Sequence, residues 1–442
     1  MATECYSQLG FGFQRKLVVD FAGGALTSDA GLLLIREFDG QLGLSADVVS
    51  RITDRRDARY VTHDLDVLIR QRLYQIAAGY EDVNDADRLR HDATFQVVAA
   101  DGRTTLGSQP TLSRLENAIA WPEIERLART GVDWFCAYGY GPDEHPPDLV
   151  LDLDSTDDPT HGNQQLALFH GFYNQHMYHP LVWFEGRTGL LLRTRLRPGL
   201  DRSAARVVED LRHLLVPLRR RFPHTPILLR GDAGMATPAV EAKLEAEGIR
   251  YVLGIGTNRV FQARVARLIA KAQARSTRTN RAVSIRTSFR HRARSWPHQR
   301  RILVKIDVTA AGLNVRFMVT NRRGRAADLV AWYDARGSAE NWIKELKLDI
   351  HADRLSCHRF RANAFRLQLH SLALLLLAYF RRAVLSGTHL ASATIGTIRL
   401  HLLKVAARVV RSVRRVWFHL ASHWPGESLF TACHRALARA PA

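Results

Sequence analysis

Three features of the 442-residue sequence predict an α/β fold: apolar runs of strand length, helical patterns between the later runs, and an aspartate closing two of them. LVLDLDS (149–155) reads as a first strand, HPLVWFEG (179–186) as a second, and GLLLRTRLRPG (189–199) as a third after a glycine turn. SAARVVEDLRHLLVPLRRRF follows as a helix, with Ser203 as the expected N-cap and Pro217 as an expected kink. PILLRGD is the fourth strand. TPAVEAKLEAEG is a helix opened by Thr237 and Pro238 and stopped by Gly248, and RYVLGIG is the fifth strand. The order is β-β-β-α-β-α-β, then a break, then one more helix.

That last helix carries YDARGSAENWIKELK. On a continuous helix Tyr333, Arg336, Glu340 and Lys347 share one face, with Lys344 beside them, in a stripe of about 80°. Ala339, Ile343, Leu346 and Ile350 form the apolar side. A solvated face is the ordinary explanation for such a stripe, but two upstream acids change its meaning. Asp154 and Asp232 each end a strand, so with Glu340 they offer three carboxylates. Hard divalent cations take oxygen ligands, and paired ions clamp the attacking and leaving oxygens of a phosphodiester. Asp152 alternates onto the same sheet face as Asp154 and is the reserve candidate; Asp154 is preferred because it lies nearer the C-terminal end of its strand. Asp157 and Asp158, ahead of Pro159, read as turn and capping residues.

This succession of strands, with acids ending the first and fourth and a third on the last helix, resembles the ribonuclease H-like fold of polynucleotidyl transferases. The motifs Asp154-Ser155-Thr156, DDPTHGNQQ, Arg230-Gly231-Asp232-Ala233-Gly234 and Tyr-x2-Arg-x3-Glu-x6-Lys cover about residues 149–350. By them the chain resembles a bacterial insertion-sequence DDE transposase, in the insertion-sequence family numbered thirteen-eighty. The resemblance implies Asp154, Asp232 and Glu340 as catalytic residues holding two Mg²⁺ ions, with Mn²⁺ as substitute. It implies cleavage at inverted-repeat ends followed by strand transfer into target DNA, and a homodimer in the DNA complex. Tyr333, Arg336, Lys344 and Lys347 are expected on the DNA. A metal-dependent nuclease of the same fold, or a catalytically silent DNA-binding relative, is the alternative.

The regions around the core complete a five-part organisation. Residues 1–145 are expected to be mainly helical, used for end recognition or partner contacts, with the core in 146–256 and 329–385. Residues 257–328 are expected to form a basic β-rich insertion, since RILVKIDVT and NVRFMVT read as a hairpin through Ala-Ala-Gly. By resemblance this insertion grips the element's end, with Arg290, Arg292 and Arg294 as its contacts. Residues 386–442 are expected to be a basic tail whose stretch LLKVAARVVRSVRRVWFHL reads as a helix.

Charge supports a nucleic-acid partner. The chain carries a net +20, yet residues 1–250 are net −7, while residues 251–330 hold 18 Lys and Arg against Asp307 and Asp328, and residues 351–442 are net +12. Segregated cations suit double-stranded DNA, where each neutralised phosphate releases counterions. The apolar run Leu372–Phe380 is too short to span a membrane and reads as a buried helix. No secretory leader is expected from the start around Glu4, which with the bacterial resemblance implies a cytoplasmic, nucleoid-associated protein. Cys5, Cys136, Cys357 and Cys433 are scattered, so neither a disulfide framework nor a cysteine zinc site is expected. His161, His170, His176 and His179 lack the partners a zinc site needs. No phosphate-binding GxxxxGK[ST] loop is present, so no nucleotide cofactor is expected.

Overall fold

In the computed structural model, residues 8–100 and 105–439 are described; Glu4 and Cys5 lie outside them. The chain divides into two compact units. One comprises 1–118, 349–351 and 376–442; the other comprises 119–348 and 352–375.

The second unit is built on an eight-stranded sheet. Its strands are β1 (Leu149–Ser155), β2 (Leu181–Glu185), β3 (Leu191–Arg195), β4 (Ile227–Gly231), β5 (Arg250–Ile255), β6 (Val283–His291), β7 (Arg300–Thr309) and β8 (Gly312–Thr320). They lie in the order β6-β7-β8-β5-β4-β1-β2-β3. The parallel pairs are β1–β4 and β4–β5; the other neighbours are antiparallel. β1, β2 and β4 are almost wholly buried, as their continuous apolar runs require of strands covered on both faces. All five strands expected from sequence are present.

Four features differ from expectation, and one agrees with it. The helix after β3, α1 (Val207–Arg221), begins three residues later than a Ser203 cap implies, after Arg206 in a left-handed conformation. Pro217 is accommodated within it. Thr237 does cap α2 (Pro238–Ala246), accepting from the Val240 N–H at 3.4 Å. A small sheet of Asp158–Pro159, Leu168–His170 and Gln175–Tyr178, unmarked by strong alternation, stands between β1 and β2. The basic segment also holds α3 (Arg259–Thr279), whose Phe261, Val265 and Ala272 are buried. Its strands β6, β7 and β8 continue the main sheet outward from β5.

The signature does not lie on one continuous helix. α4 (Ala326–Asp334) ends just after Tyr333, Arg336 is the residue before α5 (Gly337–Lys344), and a π turn follows over Glu345–Asp349. Even so, Ala339, Ile343, Leu346 and Ile350 are buried as their spacing predicts. α4 packs Leu329, Val330 and Tyr333 on Val252 of β5, Leu303 of β7 and Met318 of β8. That contact fixes where the signature starts.

The first unit is largely helical, with Leu32–Leu42, Leu65–Ala77, Ala93–Ala100 and Gln109–Ala118 among its elements. Its C-terminal segment corrects the expected helix. Ala407–Arg411 and Val416–Leu420 are paired antiparallel strands, and a helix forms only at Glu427–Arg439. The β-branched run ARVVRSVRRV favours the extended form, and its arginines mask the strand alternation. The apolar run Leu372–Phe380 lies in the buried helix α6 (Phe360–Ala383). Among the described residues no helix is long and apolar enough to cross a membrane.

Candidate active site

Strand register brings the two aspartates together. Gly231 of β4 lies opposite Leu153 of β1, so the next residue of each strand, Asp232 and Asp154, emerges side by side at the C-terminal edge of a parallel pair. Their fields interact: burial raises the Asp154 carboxyl to about 6, Arg336 opposes that rise, and Asp232 adds to it. Burial also raises Asp232, again opposed by Arg336. Asp232 Oδ1 accepts from the Gly234 N–H at 3.0 Å, and Asp154 Oδ1 accepts from the Ser155 N–H at 2.9 Å.

Arg336 is the hub. Its Nη1 donates to Asp154 Oδ2 at 2.6 Å, and its Nη2 lies 3.9 Å from Glu340 Oε1. Burial works against its charge, but the field of Asp154 holds it protonated beyond its ordinary range. The Glu340 side chain is 60% exposed, so it points to solvent while both aspartates are largely enclosed. Tyr333 donates to the Gly231 carbonyl at 3.2 Å, directly behind Asp232. A Cβ on Gly254 would come within 2.9 Å of that hydroxyl, so glycine is what lets the tyrosine approach. Lys347 donates to Asp157 at 2.8 Å. Lys344 is exposed at the end of α5.

The other strand acids have different lives. Asp152 accepts from Arg230 Nε and Nη2, each at 2.6 Å, and Arg230 Nη1 donates to the Trp332 carbonyl at 2.9 Å. Asp152 and Arg230 are direct neighbours across β1 and β4, and both are buried. This is a closed structural pair, which removes Asp152 from the solvent-reaching acids. A Cβ on Gly186 would sit 2.6 Å from Asp152 Oδ2, so the turn there must be glycine. Asp157 and Asp158 are not the turn caps their sequence suggests. Asp157 takes Lys347 and, from Gln175, a second donor at 3.1 Å, and these outweigh burial to leave its carboxyl below the usual range. Asp158 is buried with neither carboxylate oxygen hydrogen-bonded, and burial raises it well above the usual range, assisted by Asp353.

Sequence reasoning missed Tyr173, at the tip of the small sheet. Burial and then the charges of Asp157, Asp232 and Asp154 raise its phenol, which marks it as a neighbour of all three. The signal was the aromatic run FHGFYNQH, too short to give a period. His170 and His179 of the same region meet edge to face, with ring centroids 5.4 Å apart. Arg290, Arg292 and Arg294 are exposed at the end of β6 and in the loop after it.

The donor set Asp154, Asp232 and Glu340 is all carboxylate oxygen, which fits Mg²⁺ or Mn²⁺. With Arg336 acting as counter-cation, the three are not drawn together, and no cluster of three metal-ligating side chains exists among the described residues.

The family model of the transposase DDE domain, group 1, matches residues 9–442. The chain belongs to this DDE transposase family. Among solved structures this transposase chain is similar to piggyBac transposase in a synaptic complex with hairpin DNA, seen by cryo-EM. The TM-score is 0.45 at 11% identity, over 94% of this chain and 83% of that one. Among curated proteins no sequence matches.

Proposed function

We propose that this transposase cuts DNA at inverted-repeat ends and joins the freed 3′ ends to target DNA, with Asp154, Asp232 and Glu340 as catalytic residues. The observation that carries the reading is the adjacent emergence of Asp154 and Asp232 from β1 and β4, with Arg336 reaching from Asp154 toward Glu340. The five strands β3-β2-β1-β4-β5, with β2 alone antiparallel to the rest, support a ribonuclease H-like core carrying β6–β8 as its insertion.

The three carboxylates would hold two divalent ions, Mg²⁺ or Mn²⁺, which when bound lower the pKa of water and stabilise negative charge on phosphodiester oxygens. The chain's own groups orient the DNA. Arg336 has a planar fork suited to a phosphate, and its pairing with Asp154 holds that fork ready at the cut site. Lys347, tied to Asp157, and the exposed Lys344 extend the cationic edge along the strand. Tyr333 keeps the Asp232 strand end in position through Gly231. Arg290, Arg292 and Arg294, with the exposed arginines of α3, offer phosphate contacts away from the acids. The double-stranded end and target would meet a homodimer.

The test is cleavage of a duplex bearing the repeat that flanks the gene. Activity is expected with Mg²⁺ or Mn²⁺ and little with Ca²⁺, whose longer, looser coordination supports binding but not the reaction geometry. Full cleavage in a chelator contradicts the reading.

A further inference from the structure

The C-terminal hairpin of Ala407–Arg411 and Val416–Leu420 has no part in the acid site, and its surface is unusual. It joins the short strand Leu26–Thr27 as a three-stranded sheet. Ala407 is buried with Ala30 and Val405, and Phe418 and Leu420 pack on that cluster. Strand alternation then sends Arg408, Val410, Trp417 and His419 outward, in the cross-strand pairs Arg408–His419 and Val410–Trp417.

The tip continues this face. Ser412-Val413-Arg414-Arg415 turns the chain, with the Ser412 N–H donating to the Arg415 carbonyl at 2.9 Å and the Arg415 N–H donating to Ser412 Oγ at 3.1 Å. Val413 is fully exposed, and Val410, Val416 and Trp417 are each more than 40% exposed. Arg415 lies over the Trp417 ring at 5.8 Å, which is stacked on His419. No Asp or Glu occurs between Asp353 and Glu427. A merely solvated face has no reason to expose Val410, Val413 and Trp417 among arginines.

We propose that this hairpin is a DNA-binding ribbon: its tip enters a groove of duplex DNA, with Arg408, Arg414 and Arg415 on phosphates and Val413 and Trp417 against sugar and base edges. A two-stranded ribbon has the width of the major groove, and cations flanking an apolar tip match phosphates flanking a groove floor. The ribbon rests on the reading that the chain works on DNA, and deepens it by naming a grip remote in sequence from the signature.

The experiment uses the full chain with Asp232→Asn, to prevent cutting, and a fluorescent duplex of mixed sequence titrated at several salt concentrations. Arg414→Ser with Arg415→Ser is expected to lower the log–log salt slope by about two and weaken binding on the order of tenfold. Arg414→Lys with Arg415→Lys keeps the slope, because charge sets it. Trp417→Ala weakens binding with the slope unchanged. Thermal unfolding of each variant checks that the fold is retained. An unchanged slope in a folded serine variant overturns the ribbon, as does an effect seen only on self-association of the DNA-free chain. Failure of the acid-site reading looks different: the otherwise wild-type chain fails to cut, while the ribbon variants still bind less.

Discussion

Asp152 and Asp154 stand two residues apart on one face of β1, and each is paired with an arginine. Asp152 takes Arg230 from the neighbouring strand as a bidentate partner, and the guanidinium also lies 5.0 Å over the Trp332 ring. Asp154 takes Arg336 from the junction between two helices, through one short bond, and the pair is 16% exposed on each side against 1% and 4% for the other. A buried pair set by strand register cannot open without unfolding the sheet. A pair made across a helix junction at the strand's end can exchange its arginine for another cation or release it to a phosphate. Position along a single strand thus divides a carboxylate enclosed by strand register from one left partly open at the strand's end. Asp158, four residues on, is a third case: buried, with no hydrogen bond to either oxygen.

Asp152→Ala gives the largest expected effect on stability. It leaves the Arg230 charge buried and uncompensated, and costs about 3–5 kcal/mol, read as a lower denaturation midpoint at unchanged slope. A loss under about 1 kcal/mol would move Asp152 to the side of Asp154 and end the contrast.

Arg336→Lys is next. A point charge keeps the attraction to Asp154 but loses the fork. The expected loss is about 1.5–3 kcal/mol of transition-state stabilisation, roughly ten- to a hundred-fold in cleavage rate, with stability nearly unchanged. Single-turnover cleavage on a repeat-end duplex measures it. Full rate in the lysine variant would make Arg336 a simple counter-ion.

Asp158→Asn gives the smallest effect, and it depends on pH. Burial raises the Asp158 carboxyl above its ordinary 3.8, so the folded protein holds this proton more tightly than the unfolded chain does. The stability it contributes is complete below about pH 4 and declines as pH rises toward the folded value. Asparagine removes that decline. The variant's unfolding free energy therefore gains on the wild type between pH 5 and 6, by at most about 1.4 kcal/mol in that unit, read from denaturant titrations at the two pH values. A gain that shrinks with rising pH contradicts the assignment.

How much of this was legible in sequence follows from range. The five core strands and the Thr237 cap are local patterns, and they were readable. The side-by-side emergence of Asp154 and Asp232 needed only the inference of a parallel pair. The pairing of Asp152 with Arg230 was not readable, because two residues 78 apart meet through strand register. The break between Tyr333 and Arg336 escaped the stripe because the four side chains keep their partners although the helix does not continue. α3 carries a visible period at Phe261, Val265, Leu268 and Ala272, masked by its arginines, and the C-terminal hairpin was hidden in the same way.

The most direct test of the account is cleavage of a repeat-end duplex by Asp154→Ala, Asp232→Ala and Glu340→Ala, with binding measured in parallel. Each is expected to abolish cutting while affinity stays close to that of the unaltered chain, because phosphate contacts supply the binding. Cutting retained by Asp154→Ala would contradict the assignment of the catalytic acids.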